Sequence, residues 1–116
     1  MTVTLTVYHL KTCDTCRKAI KALQVTGHDL NLIDVRADGV DKSLLEKLVA
    51  DHGWETLLNR RSTTWRGLPD MDKSDVTDAK AVALMMEHPT LIKRPVIVSD
   101  QQTTIGWAND VQSHWV

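Results

Sequence analysis

Polar and apolar residues alternate at the start of the chain. Thr2, Thr4 and Thr6 share one face and Val3, Leu5 and Val7 the other, which predicts a strand over 2–9. The spacing then turns helical, with Cys16, Ile20 and Leu23 on one stripe, Asp14 or Thr15 placed to cap it and Gly27 placed to end it. Leu30, Leu32 and Ile33 predict a second strand over 29–35. A short helical crossover makes the two strands parallel. Beyond Asp41 a helix is predicted through Leu44, Leu45, Leu48 and Val49, stopping at Gly53, with a short turn over 54–58. Residues 59–69 are polar and basic and predict an irregular loop. Ser74 or Asp75 is placed to open a further helix through Ala79, Val82, Ala83 and Met86, ended by Pro89. The tail predicts a strand after Arg94-Pro95, a turn over 99–102, a short strand over 104–106 and a half-helix capped by Asn109.

Composition narrows the class. With 116 residues, 42% hydrophobic, 25% charged and a formal charge of -1, the chain fits one domain with one modest core. That balance supplies no basic field for direct contact with nucleic acid. No apolar run approaches the ~20 residues that span a bilayer, and no charged-then-apolar leader opens the chain, so a cytoplasmic location is expected and no membrane partner. In that compartment a lone pair of cysteines is catalytic, redox-sensing or metal-binding rather than a structural staple.

The two cysteines, Cys13 and Cys16, form Cys-Asp-Thr-Cys where the first strand meets the first helix. A thiol at a helix N-terminus meets the positive end of the dipole and free N–H groups, which lower its pKa. Lys11, Arg17, Lys18 and Arg94 add positive potential, and a guanidinium fork suits two oxygens of a tetrahedral anion. A second thiol three residues on can close a disulfide and release what the first has captured. Strand–helix–strand followed by strand–strand–helix, with Cys-x-x-Cys after the first strand, is the thioredoxin pattern. The fold class is therefore α/β, a single thioredoxin-like domain with a helical insertion over about 40–90. A Pro before the third strand suits that pattern, and whether Pro95 is cis stays open.

Other readings of the same residues stand beside these. Cys13 and Cys16 could hold a structural zinc with His9, although a closed site needs four ligands and no second cysteine pair exists. Cys16 could be an inert buried residue. Arg60, Arg61 and Arg66 could be a solvated loop. The four tryptophans are read as packing in a chain without Phe.

The stretch from Tyr8 to Ala19, Tyr-His-Leu-Lys-Thr-Cys-Asp-Thr-Cys-Arg-Lys-Ala, resembles the opening of the glutaredoxin-type arsenate reductase family and its relatives, the Spx-like regulators. So do His-Gly-Trp-Glu-Thr-Leu-Leu-Asn from His52, Thr-Trp-Arg-Gly-Leu-Pro from Thr64, and His-Pro-Thr-Leu-Ile-Lys-Arg-Pro-Val-Ile-Val from His88. The resemblance covers nearly the whole chain, in order. It implies Cys13 as the nucleophile, Arg94 as an oxyanion holder, Arg60 or Arg61 as a second one, His9 as the histidine before the active loop and Arg17 as the arginine after it. Two features depart from the reductases. Leu10-Lys11 stands where they carry Asn-Pro, with Cys16 added, and a third oxyanion arginine is replaced near Trp107.

The function implied is a thiol-dependent reductase acting on a small oxyanion or a glutathione-type mixed disulfide. Cys16 or glutathione would resolve the adduct, thioredoxin or glutaredoxin would return the electrons, and no cofactor would be bound. The alternative is an Spx-like redox regulator that docks on the RNA polymerase α subunit and switches through Cys13 and Cys16. A third reading has the basic site hold the carboxylates of glutathione.

Overall fold

The computed structural model describes residues 4–100 and 102–116, so Thr2 and Val3 of the expected first strand and Gln101 of the expected turn lie outside the described residues. The chain divides into two compact units. One runs to Asp38 and resumes over Arg94–Val116; the other is Gly39–Lys93.

The first unit contains β1 (Thr4–His9), α1 (Asp14–Thr26), β2 (Asp29–Asp34), β3 (Val96–Val98), β4 (Thr103–Ile105) and α7 (Asn109–Trp115). Its sheet order is β2-β1-β3-β4, with β1 and β2 parallel as the short crossover predicts, and with β3 antiparallel to both β1 and β4. This is the thioredoxin-like α/β arrangement. The apolar phase of β1 sends Leu5 and Val7 into a core with Leu23, Ile97 and Trp115, to which Ile20, Leu30, Trp107 and Val111 are added. Trp115 is anchored at two points: its Nε1 donates to Thr104 Oγ1 at 2.8 Å, and its carbonyl accepts from His28 Nε2 at 2.7 Å.

Two helix starts in this unit differ from the expected ones. Cys13 itself, in extended backbone, is the N-cap of α1, so Asp14 becomes a first-turn acid that complements the dipole. At α7 the cap is Ala108, and Asn109 is already helical. Gly27 ends α1 as expected: its φ of 101° is the left-handed conformation, and its N–H returns to the last turn.

The second unit contains α2 (Lys42–His52), α3 (Trp54–Leu57), α4 (Thr63–Arg66), α5 (Asp70–Lys73), α6 (Asp78–Glu87) and a 3-10 turn over Pro89–Leu91. Leu45, Leu48 and Val49 of α2 and Ala81, Val82, Leu84 and Met85 of α6 are buried, together with Leu57, Leu58, Leu91 and Ile92. The loop expected over 59–69 contains α4, because Ser62 accepts the Trp65 N–H and nucleates one turn. The helix expected from Ser74 or Asp75 starts later. Ser74 ends α5, Asp75 takes a positive φ of 51°, and Thr77 caps α6 by accepting the Lys80 N–H. Among the described residues no helix is long and apolar enough to cross a membrane.

Candidate active site

The register of the sheet assembles the site at one end. In the parallel pairing His9, the last residue of β1, stands opposite Asp34, the last of β2. In the antiparallel pairing Tyr8 stands opposite Val96, so the cis Arg94-Pro95 peptide just before β3 lies at the same end as the chain leaving β1. That chain makes a tight turn in which the Cys13 N–H donates to the Leu10 carbonyl at 3.0 Å, and α1 begins when the Arg17 N–H reaches the Cys13 carbonyl at 3.1 Å. Cys13 is partly exposed and Cys16, one turn further on, is fully buried.

The two thiols are driven apart in acidity. Burial pushes the Cys13 pKa up, but the backbone N–H of Cys16, the Cys16 thiol and the Arg94 guanidinium favour the thiolate, and the net result lies below the ordinary 9.0. The neutral thiol makes no capping hydrogen bond. A weak acceptor gains little there, and only the charged sulfur draws on the N–H groups. Burial also raises the Cys16 pKa, and there it prevails, to about 11; the Leu10 backbone N–H opposes the rise, the adjacent Cys13 adds to it and the Arg94 charge again opposes it. One cysteine is thus prepared to ionise and its neighbour to stay protonated.

Arg94 is therefore in electrostatic and hydrogen-bonding reach of Cys13, with its Nε buried. Pro95 is buried beside it, and its carbonyl accepts the Gly106 N–H at 2.9 Å. Arg17 points elsewhere, into an exposed ion pair between its Nη2 and Asp14 Oδ1. His9 is buried, its carbonyl accepts the Val35 N–H at 2.8 Å, and its imidazole lies close enough to Asp34 to favour that carboxylate. Arg60 and Arg61 lie in the helical unit. Arg60 stacks over the Trp54 ring at 5.7 Å, and the Arg61 N–H donates to Asn59 Oδ1 at 3.1 Å. With Asn59, Lys93, Glu55 and Leu58 they line a polar cavity of about 330 Å³. A larger cavity of about 760 Å³ in the same unit has Val49, Val82 and Met86 in its wall and no thiol.

Sequence reasoning passed over Asp34. It is 5% exposed, and its two oxygens accept the N–H groups of Lys11, Arg36 and Ala37. The Ala37 N–H, more than offsetting burial, and then those of Lys11 and Arg36 with the His9 charge, hold its carboxyl below the usual range. The available signal was an acid closing a strand in a chain whose neighbouring strand leads into the cysteine loop.

The ArsC family pattern matches residues 8–113. The chain belongs to the ArsC family. An uncharacterised protein of Haemophilus influenzae is 42% identical to it over 103 residues, 89% of this chain and 90% of its own. The solved YFFB protein shares 37% identity with a TM-score of 0.91, covering 96% of this chain and 97% of that one. The arsenate reductase of Acidiphilium multivorum is 27% identical over 109 residues, 92% of this ArsC-family chain and 77% of its own. Transcriptional regulators match as well: MgsR of Bacillus subtilis at 26% and Spx 2 of Lactococcus lactis at 24%, each over 89% of this chain.

Proposed function

We propose that the protein is a thiol-dependent reductase in which Cys13 is the nucleophile. The observation that carries this reading is the divergence of the two thiols, with Cys13 favoured as thiolate by the helix start and Arg94 and Cys16 held as a buried thiol beside it. Thiolate, not thiol, attacks. On a mixed disulfide, Cys13 sulfur forms a new S–S bond and the first thiolate leaves. On an oxyanion such as arsenate, it forms a bond to the central atom while a protonated oxygen leaves as water, and Arg94 neutralises the remaining oxygens.

Capture of Cys13 removes its negative charge, which is one of the causes that keep Cys16 protonated. Cys16 can then lose its proton and attack Cys13 sulfur. A disulfide forms, and the electron pair of the broken bond leaves with the reduced product. Glutathione can perform the same step from solvent. Thioredoxin or glutaredoxin returns the enzyme to the dithiol, and no bound cofactor is needed. Arg60 or Arg61 enters as a second oxyanion partner through the family resemblance alone, Arg17 likewise.

The test is NADPH consumption coupled through glutaredoxin or thioredoxin, with arsenate and with glutathione mixed disulfides as alternative substrates. Turnover of at least one is expected and should vanish in Cys13→Ser. Equal background in wild type and variant with every substrate removes the reductase. The second reading, a redox regulator that docks on the RNA polymerase α subunit, is favoured by the electrostatic contact between Cys13 and Cys16 and by the relatives of that class. It predicts binding to purified α subunit that changes on oxidation.

A further inference from the structure

Asp34 carries more bonds than its turn requires. The turn after β2 is closed by Oδ1, which accepts from Arg36 and Ala37 at 2.9 Å each, and by Asp38 Oδ2, which accepts the Asp34 N–H at 3.0 Å. One oxygen on an Asn or Ser would suffice for such a turn. The second oxygen, Oδ2, leaves its own segment and accepts the Lys11 N–H at 3.1 Å, 23 positions away. Lys11 sits inside the turn that the Cys13 N–H closes on the Leu10 carbonyl. A buried carboxylate is costly unless fully bonded, and here both oxygens are occupied.

We propose that Asp34 is a positioning residue for the nucleophile: its Oδ2 ties the Lys11 N–H to the end of β2 and so fixes the turn that presents Cys13 to Arg94 and to the start of α1. This rests on Cys13 being the nucleophile. The sign of the charge separates position from electrostatics. A carboxylate near a thiolate opposes it, so neutralising Asp34 without moving the loop would lower the Cys13 pKa. Loosening the loop would raise it, because the thiolate would lose alignment with Arg94 and the helix N–H groups.

Asp34→Asn makes the distinction. Its amide oxygen can keep Arg36 and Ala37, which leaves its NH₂ facing the Lys11 N–H, donor against donor. Asp34→Ser can still close the turn and has no second oxygen for Lys11, so it serves where the Asn variant does not fold. Asp38→Ala loosens the same turn without touching Lys11. In the full chain, iodoacetamide modification of Cys13 against pH, mapped by mass, reads the pKa, and hydrogen exchange of the Lys11 amide reads the tether.

The expected result for Asp34→Asn or Asp34→Ser is faster Lys11 exchange and a Cys13 pKa raised by about half a unit or more, which is about a threefold loss of thiolate at neutral pH. Asp38→Ala should leave both as in wild type. A Cys13 pKa unchanged or lowered in the Asp34 variants, or an equal rise in Asp38→Ala, overturns the proposal. A wild-type Cys13 that titrates at or above the ordinary value would defeat the nucleophile reading instead, and Lys11 exchange would still judge the tether.

Discussion

At the scale of the residue, the site works by giving two chemically identical thiols different surroundings. Cys13 at the cap of α1 has backbone N–H groups and a guanidinium on hand; Cys16, three residues later on the buried stripe, has neither in excess of its burial. After the Cys16 N–H and thiol, Arg94 is the charged side chain that favours the Cys13 thiolate, so Arg94→Gln should raise the Cys13 pKa toward 9.0, read as a shift of the alkylation–pH curve to higher pH with Cys16 still silent below about 11. Cys13 and Arg94 were legible because each belongs to a motif that a linear reading can hold: a Cys-x-x-Cys at a strand–helix seam and a basic residue before a proline. Asp34 was not legible. Its partner is a backbone N–H far along the chain, and only strand register brings the two together. Arg17, beside the loop in sequence, has its guanidinium paired with Asp14 one turn earlier on the exposed side of α1.

At the scale of the element, local chemistry decides boundaries, and it was read correctly where a glycine forced the issue. Gly27 ends α1 because its φ of 101° is unfavourable for any residue bearing a Cβ. A Cβ built there would meet nothing within 4 Å, so Gly27→Ala isolates the backbone penalty. A loss of about 1–2 kcal/mol is expected in denaturant unfolding, without change in Cys13 reactivity. Boundaries set by competing caps were read less well. Between Pro69 and Asp78 the chain offers Asp70, Asp72, Ser74, Asp75, Thr77 and Asp78, all able to start a helix. The short α5 follows Pro69 with Asp70 in its first turn and no side-chain cap, Asp75 turns left-handed, and the Thr77 hydroxyl wins α6. Period and propensity say that a helix exists there, but not which of six adjacent polar residues opens it.

At the scale of the whole molecule, the thiols connect cysteine reactivity to stability through pH. Cys16 has a folded pKa of about 11 against an ordinary 9.0, so its contribution is complete below 9.0 and is lost as pH rises through 11, where the unfolded chain has already released the proton. Cys13 acts in reverse. Its folded pKa is lowered, so its contribution is present above 9.0 and fades as pH falls through the folded value. Chemical denaturation across pH 9 to 11 should therefore show falling stability that flattens in Cys16→Ala; an unchanged slope would mean that the Cys16 pKa is not raised in the folded chain. The parallel first pair was readable from the short crossover, whereas α4 was hidden inside a polar stretch that Ser62 organises into one turn. The anchored Trp115 has one more consequence, in optics. The chain has four tryptophans, one tyrosine and no phenylalanine, and the tryptophans divide evenly: Trp107 and Trp115 in the sheet unit, Trp54 and Trp65 in the helical unit. Replacing either pair with phenylalanine leaves an intrinsic fluorophore confined to one unit, with Trp115 nearly sealed from quencher between Thr104 and the His114 ring, so the emission of each unit can be followed by itself during unfolding.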